Sequence, residues 1–63
     1  MASEKLIGLE LKIARIRAGM KQQDLANRIG CTQAMVSFLE RGIRKPGEKL
    51  SKKIEEALLR RAS

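Results

Sequence analysis

Gln22–Gly42, QQDLANRIGCTQAMVSFLERG, reads as two short helices joined by a glycine turn, with the outer face of the second left free. Leu25, Ala26 and Ile29 recur at i, i+1, i+4 and give the first helix an apolar edge. Gly30 stops it, because a tight turn between helices often needs φ > 0, which strains any residue bearing a Cβ but not glycine. Thr32 is placed to cap the next helix, its hydroxyl accepting from a free backbone N–H. That helix buries Val36 and Leu39 at i, i+3 spacing and ends at Gly42, a residue suited to the position after a helix C-cap. Gln33, Ala34, Ser37 and Phe38 are left facing outward.

Working outward, a first helix is expected from after Ser3, as N-cap, to about Ala18, where Gly19 breaks it. Beyond the central stretch, Arg41 to Gly47, RGIRKPG, reads as a loop, since Lys45 before Pro46 is biased away from helix. A last helix is expected from about Glu48 to Arg60, with Leu50, Ile54, Ala57 and Leu58 turned inward. Its opening Glu48 and closing Arg60 and Arg61 complement the helix dipole. The outcome is a compact bundle of four helices, or five if the Arg41 to Gly47 loop contains a turn of helix.

The 63 residues make one small domain, a size that buries only about 60% of the surface of its unfolded chain. That size argues against a large catalytic cleft, histidine is absent, and no nucleophile stands beside a suitable base, so no enzyme is read here. The net charge of +7 favours a polyanionic partner. No apolar run approaches the ~20 residues of a spanning helix, and MASEKLIG lacks a signal-peptide core, so a cytoplasmic protein is expected. One cysteine excludes an intramolecular disulfide and argues against a Cys-based zinc site; no metal and no cofactor are expected.

The chain resembles the Cro/phage-repressor type of helix-turn-helix, widespread in bacterial and phage transcription regulators. The resemblance runs from about Ile7 to Leu58. Its landmarks are the I-G-x-x-L entry at Ile7, Gly8 and Leu11, then Arg15, Gly19, Gln22, the L-A pair at Leu25 and Ala26, Gly30, the E-R-G at Glu40 to Gly42, and Pro46. Each is weak alone; together they are specific. The resemblance implies an all-α, lambda-repressor-like DNA-binding domain whose second motif helix lies in the major groove while the first crosses the backbone.

On that footing Gln33 is the sharpest base-reading candidate, since a glutamine amide can donate to and accept from adenine N7 and N6. Ala34 allows close approach and can touch a thymine methyl, and Ser37 can bond phosphate or base. Phe38 departs from the family, which usually has a polar side chain there; it either faces the groove or folds sideways onto the core. The backbone set comprises Lys21, Gln22, Gln23, Thr32, Arg41, Arg44 and Lys45. Gln22 holds the family's clamping position, and Lys21 replaces its usual Ser, Thr or Asn cap, so weaker capping is expected. Cys31, where the family has a small apolar residue, is expected to be a buried structural thiol rather than a redox switch. The family also pairs the equivalents of Arg15 and Glu40, which here would orient the reading helix.

The first helix has two apolar stripes. Ile7, Leu11, Ala14 and Ala18 form the one that the family packs inward; Leu6, Leu9, Ile13 and Ile16 form another, at three positions of which the family is usually polar. Such a row exposed on a monomer would be an unusual patch, so it is read, with Leu59, as a homodimer or partner face, the alternative being that the end of the last helix covers it. The expected function is a DNA-binding transcription regulator, a repressor acting as a homodimer on a palindromic double-stranded operator, bacterial or phage-encoded and nucleoid-associated. Phage or mobile-element repressor, restriction-modification controller and antitoxin-like autoregulator remain open. The competing class is a protein-interaction module working through the first helix.

Overall fold

A computed structural model describes residues 6–59; the expected cap Ser3 and the basic pair Arg60 and Arg61 lie outside the described residues. Four helices follow one another: α1 Leu9–Arg17, α2 Gln22–Ile29, α3 Gln33–Glu40 and α4 Glu48–Leu58. Among the described residues there is no strand, and the Arg41 to Gly47 connection is turn and bend without helix, so the count is four rather than five. The core gathers Leu11 from α1, Leu25, Ala26 and Ile29 from α2, Val36 and Leu39 from α3, and Ile54, Ala57 and Leu58 from α4. α2 is central: α3 packs on one side of it and α4 on another, while α1 docks chiefly on α3.

The α1 start differs from expectation. Leu6 and Ile7 lie outside the helix, which begins at Leu9, because Gly8 takes φ 59, ψ −135, a conformation open to glycine and strained for other residues. Its N–H donates to the Leu39 carbonyl at 3.1 Å, so the chain enters α1 by way of the far end of α3. The helical phase therefore cannot extend back past Gly8, and both stripes lose their first member. Ile7, expected inside, is 38% exposed; Leu6, expected on the exposed row, is half-buried against the core. From Leu9 onward the phase holds, with Leu11 buried, Ala14 and Ala18 half-buried, and Leu9, Ile13 and Ile16 exposed.

The glycine turn and the cap form as their residue types dictate. Gly30 has φ 77, and the next N–H, of Cys31, reaches back to the Ala26 carbonyl at 2.9 Å. Thr32 Oγ1 accepts from the Met35 N–H at 3.1 Å and opens α3. Thr32→Ala is expected to cost about 1 kcal/mol of stability, read from the denaturant midpoint at unchanged slope. A Thr32→Asn variant that lost as much would show that the hydroxyl is not acting as a cap. At the far end, α4 stops at Leu58 with Leu59 as its cap, and Leu59 is exposed.

Candidate nucleic-acid interface

α3 buries Val36 and Leu39 and leaves Gln33 and Ala34 exposed, with Ser37 half-buried. Gln33 and Ala34 form its first turn, the part of such a helix that can approach a base edge end-on. Phe38 is 38% exposed, so its ring is neither sunk in the core nor free, and its outer part adds apolar surface to the same face. Its carbonyl accepts from the Ile43 N–H at 3.0 Å, which ties the following loop to the end of α3. Ile43 itself is 61% exposed, an apolar side chain that the surrounding charges of the loop obscure in the sequence.

A hydrogen-bonded chain runs from the interior to Gln33. Arg15 Nε and Nη2 donate to the two carboxylate oxygens of Glu40, and Arg15 Nη1 donates to the Met20 carbonyl at 2.8 Å. Gln22 Nε2 donates to Glu40 Oε1 at 3.0 Å, and Gln33 Nε2 donates to Gln22 Oε1 at 3.3 Å. Both charged groups are buried, so each needs the other to offset its lost hydration. The chain fixes the Gln33 amide through one of its two N–H groups. The second N–H and both lone pairs of Oε1 stay available to a base.

This arrangement changes the position of Gln22. Its side chain is turned toward Glu40 and Gln33, so it offers an outside anion one remaining amide hydrogen and its backbone N–H at the start of α2. Lys21 cannot cap with an ammonium, which has no acceptor, and makes no side-chain cap bond. The reciprocal bond forms instead: the Lys21 N–H donates to Asp24 Oδ2 at 3.0 Å. Asp24, at the third helical position, is the sequence signal for this bond. Gln23 donates along the helix to Asn27 Oδ1 at 3.0 Å. The Thr32 hydroxyl, accepting as a cap, keeps its own hydrogen free to donate.

Lys21, Arg41, Arg44 and Lys45 are exposed, on the two connections that flank α2 and α3. Cys31 is half-buried against the core, and burial pushes its thiol up from the ordinary range, so it stays protonated and weakly nucleophilic near neutrality. A depression of about 410 Å³ lies between the end of α2 and α4 against Asn27, Arg28, Lys53 and Glu56, and shares no residue with the α3 face. Among the described residues no cluster of His, Cys, Asp or Glu could hold a metal ion, and no helix is long and apolar enough to cross a membrane.

No curated protein and no solved structure matches the chain. A family model described as helix-turn-helix matches residues 11–60, which takes in all of α2, the glycine turn and α3. With most of its length covered, the chain belongs to the helix-turn-helix family of Cro/phage-repressor type and is a DNA-binding regulator.

Proposed function

We propose that the protein is a sequence-specific repressor that works as one domain, reads the major groove with the first turn of α3, and occupies a palindromic operator as a homodimer. The observation that carries this reading is the Gln33 amide, outward on α3 and held by Gln22 from within. Base discrimination needs a side chain whose donor and acceptor arrive in fixed positions, and this one is oriented before DNA arrives. Ala34, Ser37 and Phe38 complete the base-facing set. Lys21, Gln22, Gln23, Thr32, Arg41, Arg44 and Lys45 serve phosphates, Gln22 chiefly through its backbone N–H. Repression would follow from occupancy of the operator, beside bacterial or phage DNA in the cytoplasm.

The test is selection of duplexes from a random pool, followed by two variants on the sequence recovered. Gln33→Ala is expected to reduce discrimination between cognate and altered operators by about 1–3 kcal/mol while sparing non-specific affinity. Arg44→Ala is expected to weaken all duplexes alike and to lower the salt slope by about 1. Equal effects of both variants on every sequence would remove Gln33 from base readout.

The exposed row on α1 supports the homodimer. Leu9, Ile13 and Ile16 stay substantially exposed, and Leu59, the alternative cover, is itself 53% exposed. One reading helix spans few base pairs, whereas two on a two-fold axis read half-sites ~34 Å apart. Leu9→Glu combined with Ile13→Glu is expected to give a folded monomer by light scattering at high concentration. Wholesale unfolding, or a mass equal to that of the native chain, would count against the face.

A further inference from the structure

The exposed row on α1 carries a charge pattern that selects its partner. Leu9, Ile13 and Ile16 follow i, i+4, i+7 spacing, that of a coiled-coil seam, and are 65%, 43% and 56% exposed. At 100° per residue, Glu10 and Arg17 fall together along one flank of this seam and Lys12 falls on the other. Neither Glu10 nor Arg17 has an opposite charge three or four places away in the chain, and neither forms an ion pair among the described residues.

We propose that this face docks onto the same face of a second copy, with the two α1 helices antiparallel about a two-fold axis. In that orientation like flanks meet, so Glu10 of each copy lies against the second copy's Arg17, an attraction made twice. On the opposite flank Lys12 approaches the second copy's Lys12, a single repulsion between long, solvated side chains. A parallel pairing brings unlike flanks together and sets Lys12 against both Glu10 and Arg17 of the second copy, so attraction and repulsion offset each other. The charges therefore favour the antiparallel dimer over the parallel one. The two helix dipoles also lie antiparallel in this dimer, each N-terminus beside the second copy's C-terminus, whereas a parallel pairing sets like ends together.

Three aliphatic side chains per copy fall well short of the ~800 Å² per partner of a standard interface. The seam is therefore weak in free solution. Two half-sites on one duplex hold the copies at an effective concentration in the millimolar range, which closes it. This last step rests on the DNA-binding reading; the pairing itself does not.

Sedimentation equilibrium of the full chain without DNA, taken up to millimolar concentration, tests the seam. Glu10→Arg and Arg17→Glu are each expected to weaken self-association about tenfold, and the two together to restore it to within about twofold of the native chain. One substitution raises the net charge and the other lowers it, so a non-specific charge effect would drive them in opposite directions. Lys12→Gln is expected to strengthen association a few-fold. A native chain that stays monomeric throughout, single variants that move oppositely, or a double variant with no recovery would overturn the proposal. Should either reversal unfold the chain, cross-linking of Ile13→Cys in a Cys31→Ser background by a short bis-maleimide decides between the outcomes: dimer is expected, and its absence overturns the seam. Self-association through this seam without affinity for a mixed-sequence duplex would sink the DNA reading alone, and DNA binding by a chain that never pairs would sink the seam alone.

Discussion

Glu40→Ala is expected to lower the unfolding free energy by about 3–5 kcal/mol. Glu40 accepts two bonds from Arg15 and one from Gln22, and both members of the ion pair are buried. Truncation leaves a buried guanidinium with the Met20 carbonyl as its remaining partner. A domain of this size has only about 3–9 kcal/mol in total, and each kcal/mol moves its melting point by roughly 4–8 °C. The variant should therefore melt tens of degrees lower or fail to fold near 37 °C. The companion variant Arg15→Leu with Glu40→Leu strands no charge and is expected to recover much of the loss. Thermal melts of the two decide the matter: if they are equally unstable, a stranded buried charge is not the cause.

Leu39→Ala is expected to cost about 2–5 kcal/mol, from lost transfer energy and the cavity left behind. Leu39 is 1% exposed on the inner side of the helix that carries Gln33, and its carbonyl accepts from both Gly8 and Gly42. The variant should bind every duplex more weakly at temperatures where it is partly unfolded. Measured cold, where it is folded, its ratio of cognate to altered operator should match that of the native chain. Gln33→Ala should do the reverse, keeping stability and losing the ratio. A Leu39→Ala protein fully folded by circular dichroism yet altered in selectivity would show that packing under α3 tunes base readout directly.

Signals confined to a few neighbouring residues are the ones legible in the sequence. Gly30 and Thr32 act through their own backbone and hydroxyl, so the turn and the cap can be placed without knowing the tertiary fold. Gly8 cannot be read this way. It sits inside an apolar run whose periodicity continues on both sides, and what makes it a boundary is a bond to Leu39, far along the chain. Leu6 and Ile7 are displaced together, since both stripes pass through a turn that is not helical. The pairing of Arg15 with Glu40 is legible only through the family resemblance, and the structure brings the two together. The link from Glu40 through Gln22 to Gln33 is not legible, because each glutamine alone reads as a surface amide. Asp24 differs again: its spacing from Lys21 is a sufficient signal, but the acceptor stands three residues after the cap position rather than on it.

On the proposed reading, retargeting to a new operator starts with the replacement of Gln33, and the bond to Gln22 makes that a two-position problem. A glutamine at position 22 supplies an acceptor to whatever stands opposite it. A lysine or arginine at 33 could take that acceptor and keep a defined pose, whereas a glutamate would meet it with lone pairs and swing away. Specificity libraries should therefore vary positions 22 and 33 jointly and leave Glu40 fixed. Variants selected at 33 alone will be drawn from the side chains that Gln22 can hold, a narrower alphabet than the groove would accept.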